Sequence, residues 1–488
     1  MSRGNRAFLA AFIVLGTLAR MAPIAANRFH EDEAVYSHWA LLVATGRDVL
    51  LKKTPVDKPP LFVYMLAFFF KMFGHSEVTA RLPSLLLSIA SIPLVYHLSS
   101  HLHGEGVALA SAAIMAFSPF NILFAPTAFT DPPMVAFVLA SFCFAVRGRL
   151  WWAGFLLGLA FATKQQGLFF APLSFALAFL RRDWGESLPR GCFRFILGLL
   201  AAIVPVILWD STRWRTMPSY IEQSLKSYGG LSLAEPAELL KRLKDWANIL
   251  SYITASPFLN ALSIASLSFL MLHNAKIKGK GALFDFALAG FIALFLLTHW
   301  LLSFNVWDRY VLGLVPLIAI LMARGLLLAG WAISRFLFRQ GAFRRADLTN
   351  FVVVFLIASL VWPAWKAMHS DFPIGGDHGA YQGIEQVADY FRDVQDGAIL
   401  YHRWLGWHYS FYMFDFPLDL RWYSSPEELA EKAAEVEGVP LYIVFPSWKS
   451  SEEVRASLEK EGLALRCVRR IYRKDGSVSF TIYRIEEL

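Results

Sequence analysis

The sequence predicts a polytopic α-helical membrane protein carrying a small α/β domain at its C-terminal end. Three observations predict it. Of 488 residues, 56% are apolar and 17% charged, where soluble domains average roughly a quarter charged. The mean hydropathy is +0.45, and apolar runs able to form helices of about 20 residues recur along the chain. From about residue 367 the composition changes to short strand-like stretches between charge-rich helical ones.

The expected spans are 7–25, 81–101, 106–122, 132–146, 150–163, 165–180, 194–209, 251–272, 283–302, 310–333 and 350–366, about eleven crossings. The first lacks a clear small-residue cleavage site and is read as retained. Those at 150–163 and 165–180 are shorter than a crossing and fit a tilted path or a start inside protein. Residues 61–73, apolar apart from Lys71, read as a helix lying along the interface. The soluble part is expected to hold strands at 398–401 and 441–445, helices at 426–437 and 451–461, and two strands over 465–485 around the turn at Lys474-Asp475-Gly476. The predicted domains are thus 1–366, transmembrane with a first outer loop at 26–80, and 367–488, soluble.

Net charge is +8, but its distribution argues against nucleic acid. Arg3 and Arg6, Arg147 and Arg149, Arg181, Arg182, Arg190 and Arg194, Lys276, Lys278 and Lys280, and Arg335, Arg339, Arg344 and Arg345 fall on alternate connections. That asymmetry puts the N-terminus in the cytoplasm. An odd number of spans then leaves the soluble domain and the first loop extracytoplasmic. Cys143, Cys192 and Cys467 are too few and scattered for a disulfide framework or zinc cluster.

The outer loops carry the unusual residues. Phe29-His30-Glu31-Asp32-Glu33-Ala34-Val35-Tyr36 puts three acids after the first span, where a helix beginning near Asp32 would let that residue cap it. Asp57-Lys58-Pro59-Pro60-Leu61 holds Lys58 outside a helix, because the prolines remove backbone donors. Arg81-Leu82-Pro83 opens the second span, its arginine either a snorkelling anchor or a partner for an acid or phosphate. Asp131, in Thr130-Asp131-Pro132-Pro133, is placed to cap a helix starting at Pro132. Lys164, between two apolar runs, and Arg309, in Trp307-Asp308-Arg309-Tyr310, complete the group. Ionisable residues near membrane depth are functional candidates, and all of these fall on one face.

Two acids and several cations on an outer face suit group transfer from a polyprenyl phosphate. The leaving group is a phosphate anion, which cations stabilise without a general acid. Lys58, Lys164, Arg309 and Arg81 are the candidates for that role. A hydroxyl acceptor needs a base, and Asp32 is the choice. No Gly-rich phosphate loop follows a strand, as a nucleotide-sugar site would require.

The pattern Asp32-Glu33-Ala34-x-Tyr36, Lys58-Pro59-Pro60-Leu61, Arg81-Leu82-Pro83, Thr130-Asp131-Pro132 and Asp308-Arg309-Tyr310-x-Leu312 resembles the GT-C membrane glycosyltransferases. Within them it is most similar to the protein O-mannosyltransferases and the aminoarabinose transferase of lipid A. The resemblance covers roughly residues 25–325. It implies a polyprenyl-phosphate sugar donor, inversion at the anomeric carbon, catalytic roles for Asp32, Glu33 and Asp131, and a place for Lys58 near the donor phosphate. The acceptor stays open among lipid, glycan and protein, though 210–250 is too short for the MIR domain of eukaryotic protein mannosyltransferases. A divalent cation, magnesium or manganese on Asp32, Glu33 and Asp131, stays open beside a metal-independent reaction. His402 and His408, six residues apart among aromatics, read as structural rather than ligating. A transporter would place ionisable groups at mid-membrane, and a lipid-linked glycan ligase or flippase would share the donor but not the Asp-Glu motif.

Overall fold

A computed structural model describes residues 3–181, 187–228, 232–277, 279–337, 345–394 and 396–488. Arg182, Lys278, Arg339 and Arg344, which enter the charge asymmetry, lie outside the described residues. The chain divides into two compact units. The first comprises residues 1–26 and 42–375, the second 27–41 and 376–488. The boundary near 366 expected from composition therefore falls at Gly375, and a fifteen-residue piece of the first outer loop folds with the C-terminal unit.

Among the described residues of the first unit, seven helices are long and apolar enough to cross a membrane: Arg3–Ala25, Glu77–His103, Leu188–Ser211, Pro257–Lys276, Lys280–Leu301, Val315–Phe336 and Asp347–Met368. Four shorter apolar helices, Glu105–Phe117, Asp131–Ala145, Leu150–Thr163 and Gln165–Leu180, stand where the other four spans were expected. The first two of these are buried along most of their length, so protein rather than lipid surrounds them and full bilayer length is not required. Leu61–Phe73 is a separate helix, as the prolines before it predict.

Several boundaries shift for local reasons. The expected 106–122 span breaks at Ser118-Pro119, where proline cannot continue the ladder. The buried Arg20 donates to the carbonyls of Met115 and Ala116, at 2.5 and 2.8 Å, which the break leaves open. The helix expected at 251–272 starts at Pro257, because Ser256 caps it by accepting from Leu259 N at 3.3 Å. The second span starts at Glu77 rather than Arg81, capped by Ser76.

Helices Leu150–Thr163 and Leu188–Ser211 pack backbone to backbone. A Cβ on Gly154 would stand 1.9 Å from the Phe195 carbonyl oxygen, and one on Gly198 2.0 Å from that of Trp151. Gly154 with Gly158 and Gly198 with Ala202 give the small-x-x-x-small pattern through which membrane helices approach closely.

The second unit contains a five-stranded sheet of order β2-β1-β3-β5-β4. β1 (Ile399–His402), β2 (Asp419–Trp422) and β3 (Leu441–Pro446) are parallel, while β4 (Leu463–Tyr472) and β5 (Val478–Glu487) form an antiparallel hairpin. Its turn is closed by Arg473 N donating to Ser477 O at 2.7 Å, with Gly476 at φ +84°. Helices Ile384–Arg392 and Gly406–Tyr412 supply the core on one face, Pro426–Ala434 and Glu452–Lys460 on the other. The expected strands, hairpin and last two helices are present. β2 and the first two helices were not anticipated: β2 is a four-residue edge strand with charges at Asp419 and Arg421, and its burial pattern is weak.

Candidate functional site

Five segments of the helical unit bring their side chains together. Lys58 stays outside a helix, as Pro59 and Pro60 dictate, yet it is 3% exposed rather than solvated. Its ammonium donates to Asp57 Oδ2 at 2.9 Å and to the Tyr228 hydroxyl, and lies 4.0 Å from the Tyr228 ring centroid. Tyr228 in turn donates to the same Asp57 oxygen at 2.6 Å. A buried ammonium is tolerated because a carboxylate and a hydroxyl take up its donors.

Lys164 sits at a break in the chain. Helix Leu150–Thr163 ends there with Lys164 in extended geometry, before the tight turn Gln165–Phe170. Its Nζ donates to Asp131 Oδ1 at 2.6 Å with both side chains buried, and lies 4.7 Å from the Tyr310 ring centroid. Burial pushes its pKa down to about 8 against the attraction of Asp131, and the charges of Arg309 and Lys58 add to the depression. The capping role expected for Asp131 is absent: the helix begins at Asp131 itself, with Thr130 as its cap residue and no side-chain cap bond. The carboxylate serves Lys164 instead.

Arg309 lies in the tight turn Asp308–Gly313 that precedes Val315. Its guanidinium stands 4.4 Å from the Trp307 ring centroid and 5.2 Å from that of Phe129. The turn is fixed by Asp308, which accepts from Arg309 N at 2.8 Å and Gly375 N at 2.9 Å. Trp307 packs edge-on to Tyr228 at 5.3 Å and stands 5.5 Å from Tyr310. Aromatic rings therefore link all three cations. Gln165 joins the two lysine segments, donating to Asp57 O at 3.3 Å and Ser224 Oγ at 2.6 Å. Arg81 donates to Ile24 O at 2.6 Å and lies 3.7 Å from Glu77, pinning the end of the first span to the second.

Asp32 and Glu33 belong to the second unit. The helix Glu31–Ala44 starts one residue before Asp32, and its cap is His30 rather than Asp32. His30 Nδ1 accepts from Asp32 N at 3.2 Å, and the buried Glu33 reaches back to accept from His30 N at 3.0 Å. This is the reciprocal arrangement of a capping box. Asp32's side chain is a quarter exposed. Burial, then the Asp32 charge, raises the Glu31 carboxyl above its ordinary range. Buried Asp377 accepts from Arg28 N and Tyr381 N, and His408 Nε2 bonds Phe29 O at 3.0 Å, so the acid segment is tied to the C-terminal unit. Burial lowers His408 to about 4 and His402 likewise, so both are neutral near pH 7, in keeping with structural histidines. Gly406 leaves room for the His402 ring, since a Cβ there would stand 2.6 Å from His402 Cε1. Among the described residues, no group of three or more His, Cys, Asp or Glu side chains is arranged to hold a metal ion.

Sequence reasoning did not single out Tyr228, and it passed over Asp57, Trp307 and Tyr310 within quoted motifs. Aromatic residues beside a Lys or Arg were the available signal for the last two. Tyr228 carries none, being the residue that follows the amphipathic helix Tyr220–Ser227.

The seven long helices, the shorter apolar ones and the appended sheet make a multi-pass membrane protein with a GT-C-like fold. Residues 57–209 match the family described as dolichyl-phosphate-mannose-protein mannosyltransferase. The chain is similar to the structure of ArnT from Cupriavidus metallidurans bound to undecaprenyl phosphate, with a TM-score of 0.67 at 14% identity over 98% of this chain and 97% of that one. It is also similar to the oligosaccharyltransferase AglB from Archaeoglobus fulgidus, solved with an inhibitory peptide and a dolichol-phosphate, at TM-score 0.53 and 10% identity over 98% and 74% of the two chains. At such identities the likeness is one of fold. A segment of 132 residues is 32% identical to the candidate mannosyltransferase YycA of Bacillus subtilis, spanning 26% of this chain and 19% of that protein.

Proposed function

We propose that this chain is an inverting glycosyltransferase that moves a sugar from a polyprenyl-phosphate donor to an acceptor on the extracytoplasmic face. The observation that carries the reading is the buried, aromatic-linked set Lys58, Lys164 and Arg309 in one unit. Low-dielectric surroundings strengthen their attraction for a phosphate ester. Their charge offsets the negative charge that develops as the bond between anomeric carbon and phosphate oxygen breaks, with its electron pair leaving on the phosphate. Asp131 keeps Lys164 protonated rather than moving a proton itself.

On the acceptor side, Asp32 takes the proton of a hydroxyl as its oxygen bonds to the anomeric carbon. If the acceptor is an already ionised lipid phosphate, no proton moves and Asp32 orients. Glu33 acts through the helix cap, which sets the direction of Asp32. Family and fold likenesses, with neighbours solved with undecaprenyl phosphate or dolichol-phosphate, support a lipid-linked donor. The alternating Lys and Arg clusters support a cytoplasmic N-terminus.

The test is transfer from radiolabelled polyprenyl-phosphate mannose, glucose or aminoarabinose to a lipid, glycan or peptide panel, wild type beside Asp32→Asn. Transfer to a hydroxyl acceptor should fall by at least roughly 100-fold in the variant. Undiminished transfer removes Asp32 as the base. Failure of the wild type to transfer or hydrolyse any donor would sink the enzyme reading.

A further inference from the structure

We propose that Gln166, oriented by His299, accepts a hydroxyl of the transferred sugar and so sets donor specificity, resting on the lipid-phosphate sugar reading above. Gln166 is 7% exposed and lies two residues from Lys164. Its amide can be oriented from its neighbours. His299 Nδ1 is 2.9 Å from Phe295 O, and a carbonyl only accepts, so in the neutral imidazole Nδ1 carries the hydrogen and Nε2 is an acceptor. Gln166 Nε2 stands 3.3 Å from His299 Nε2, so the NH2 end must face the ring. The other end, Oε1, is then buried without a hydrogen-bond partner.

Gln165 repeats the arrangement. Its Nε2 is committed to the Asp57 carbonyl and Ser224, and its own Oε1 is buried and unpartnered. Two consecutive amide oxygens therefore follow Lys164 as unused acceptors, in a turn bonded to the Asp57-Lys58 segment. The imidazole that fixes Gln166 stacks on Phe295 at 4.1 Å and stands 5.7 Å from Tyr310, the ring beneath the Lys164 ammonium.

An unpaired buried acceptor is costly, and the group that relieves it must bring a donor hydrogen. A phosphate diester offers only acceptors, whereas a sugar offers several hydroxyls. The side chains thus divide by chemistry: cations for the phosphate, amide oxygens for the sugar. His299 is a positioning residue here. Arg242 supports it, donating to the carbonyls of His299 at 2.8 Å and Trp300 at 3.1 Å at the end of that helix.

The experiment uses the full chain in lipid nanodiscs. Whichever of polyprenyl-phosphate mannose, glucose or aminoarabinose the wild type turns over is compared with its singly deoxygenated analogues, on wild type and Gln166→Met. Wild type should disfavour one deoxy donor by roughly 100-fold in kcat/KM. The variant should lose about the same factor on the complete donor and little on that analogue, so that discrimination collapses. Binding of sugar-free polyprenyl phosphate should be equal in the two proteins, which also reports that the variant is folded. Equal losses on every donor, or unchanged discrimination, would overturn the role of Gln166. A wild type that binds no polyprenyl phosphate would defeat the lipid-phosphate reading and the sugar role with it.

Discussion

Replacing Asp131 with asparagine should convert Lys164 from a cation to a neutral amine near physiological pH. In the wild type the ammonium is buried and sits at about 8, with Asp131 as the main influence holding the proton on. Roughly three quarters of it is protonated at about pH 7.5. Asparagine keeps the shape but removes the negative charge, while burial and the positive charges of Arg309 and Lys58 remain. Each unit of further depression corresponds to about 1.4 kcal/mol. A fall of about two units leaves roughly one molecule in thirty protonated at the same pH. Because affinity scales with the competent fraction, binding of polyprenyl phosphate should weaken about 25-fold, and recover as the pH is lowered toward about 5.5. The assay is equilibrium binding of polyprenyl phosphate in nanodiscs from about pH 5.5 to about pH 9, with wild type run beside the variant so that titration of the ligand cancels. In the wild type, affinity should decline above about pH 8. Unfolding does not explain that decline: a lysine whose folded pKa lies below its ordinary 10.5 penalises the folded state at low pH and relieves it between about 8 and 10.5. A variant whose loss is the same at every pH, or whose profile overlays the wild type, refutes the reasoning.

Three further outcomes follow from the same contacts. Lys58→Met should raise KM for the donor by roughly 10- to 100-fold, the range of a lost charge-assisted hydrogen bond, and Tyr228→Phe, which keeps the ring and loses the hydroxyl, should cost less; steady-state kinetics against donor concentration separates them. Glu33→Ala should lower stability by about 1–2 kcal/mol through the lost helix cap, read as a shift in chemical denaturation, with Glu33→Gln recovering most of it. His408 charges in the unfolded chain near its ordinary 6.5 but only near about 4 when folded. The second unit should therefore lose up to about 3 kcal/mol as pH falls from about 6.5 to about 4, and His408→Phe should flatten that slope while lowering stability at neutral pH.

Much of the fold was legible because the bilayer imposes a length and polarity on each span. The four short helices stood at predicted places, and for two of them, Glu105–Phe117 and Asp131–Ala145, the structure supplies a cause for the shortness, burial within protein. Cation positions in the candidate site were legible too, since Lys58, Lys164 and Arg309 are charges in apolar or proline-rich surroundings. Asp131 was singled out as well, but the partners of Lys58 were not. Asp57 stood in the quoted motif without a role of its own, and Tyr228 lies 170 residues away along the chain. The capping alternative weighed for Asp32 and Asp131 holds for neither side chain. His30 holds the first helix start, and Lys164, 33 residues away, draws the second carboxylate away from its helix.

The placement of residues 27–41 in the C-terminal unit bears on how the protein is made. The acid motif is synthesised almost first, yet Asp377, Tyr381 and His408, which hold its segment, are synthesised near the end. At about 5–20 residues per second, that wait is on the order of 20–75 s while the helical unit emerges. Asp32 and Glu33 thus reach their folded setting only in a chain translated past His408. Fragments released early would carry the three cations without an ordered acid segment. Synthesis through His408 thereby gates the ordering of the acid segment.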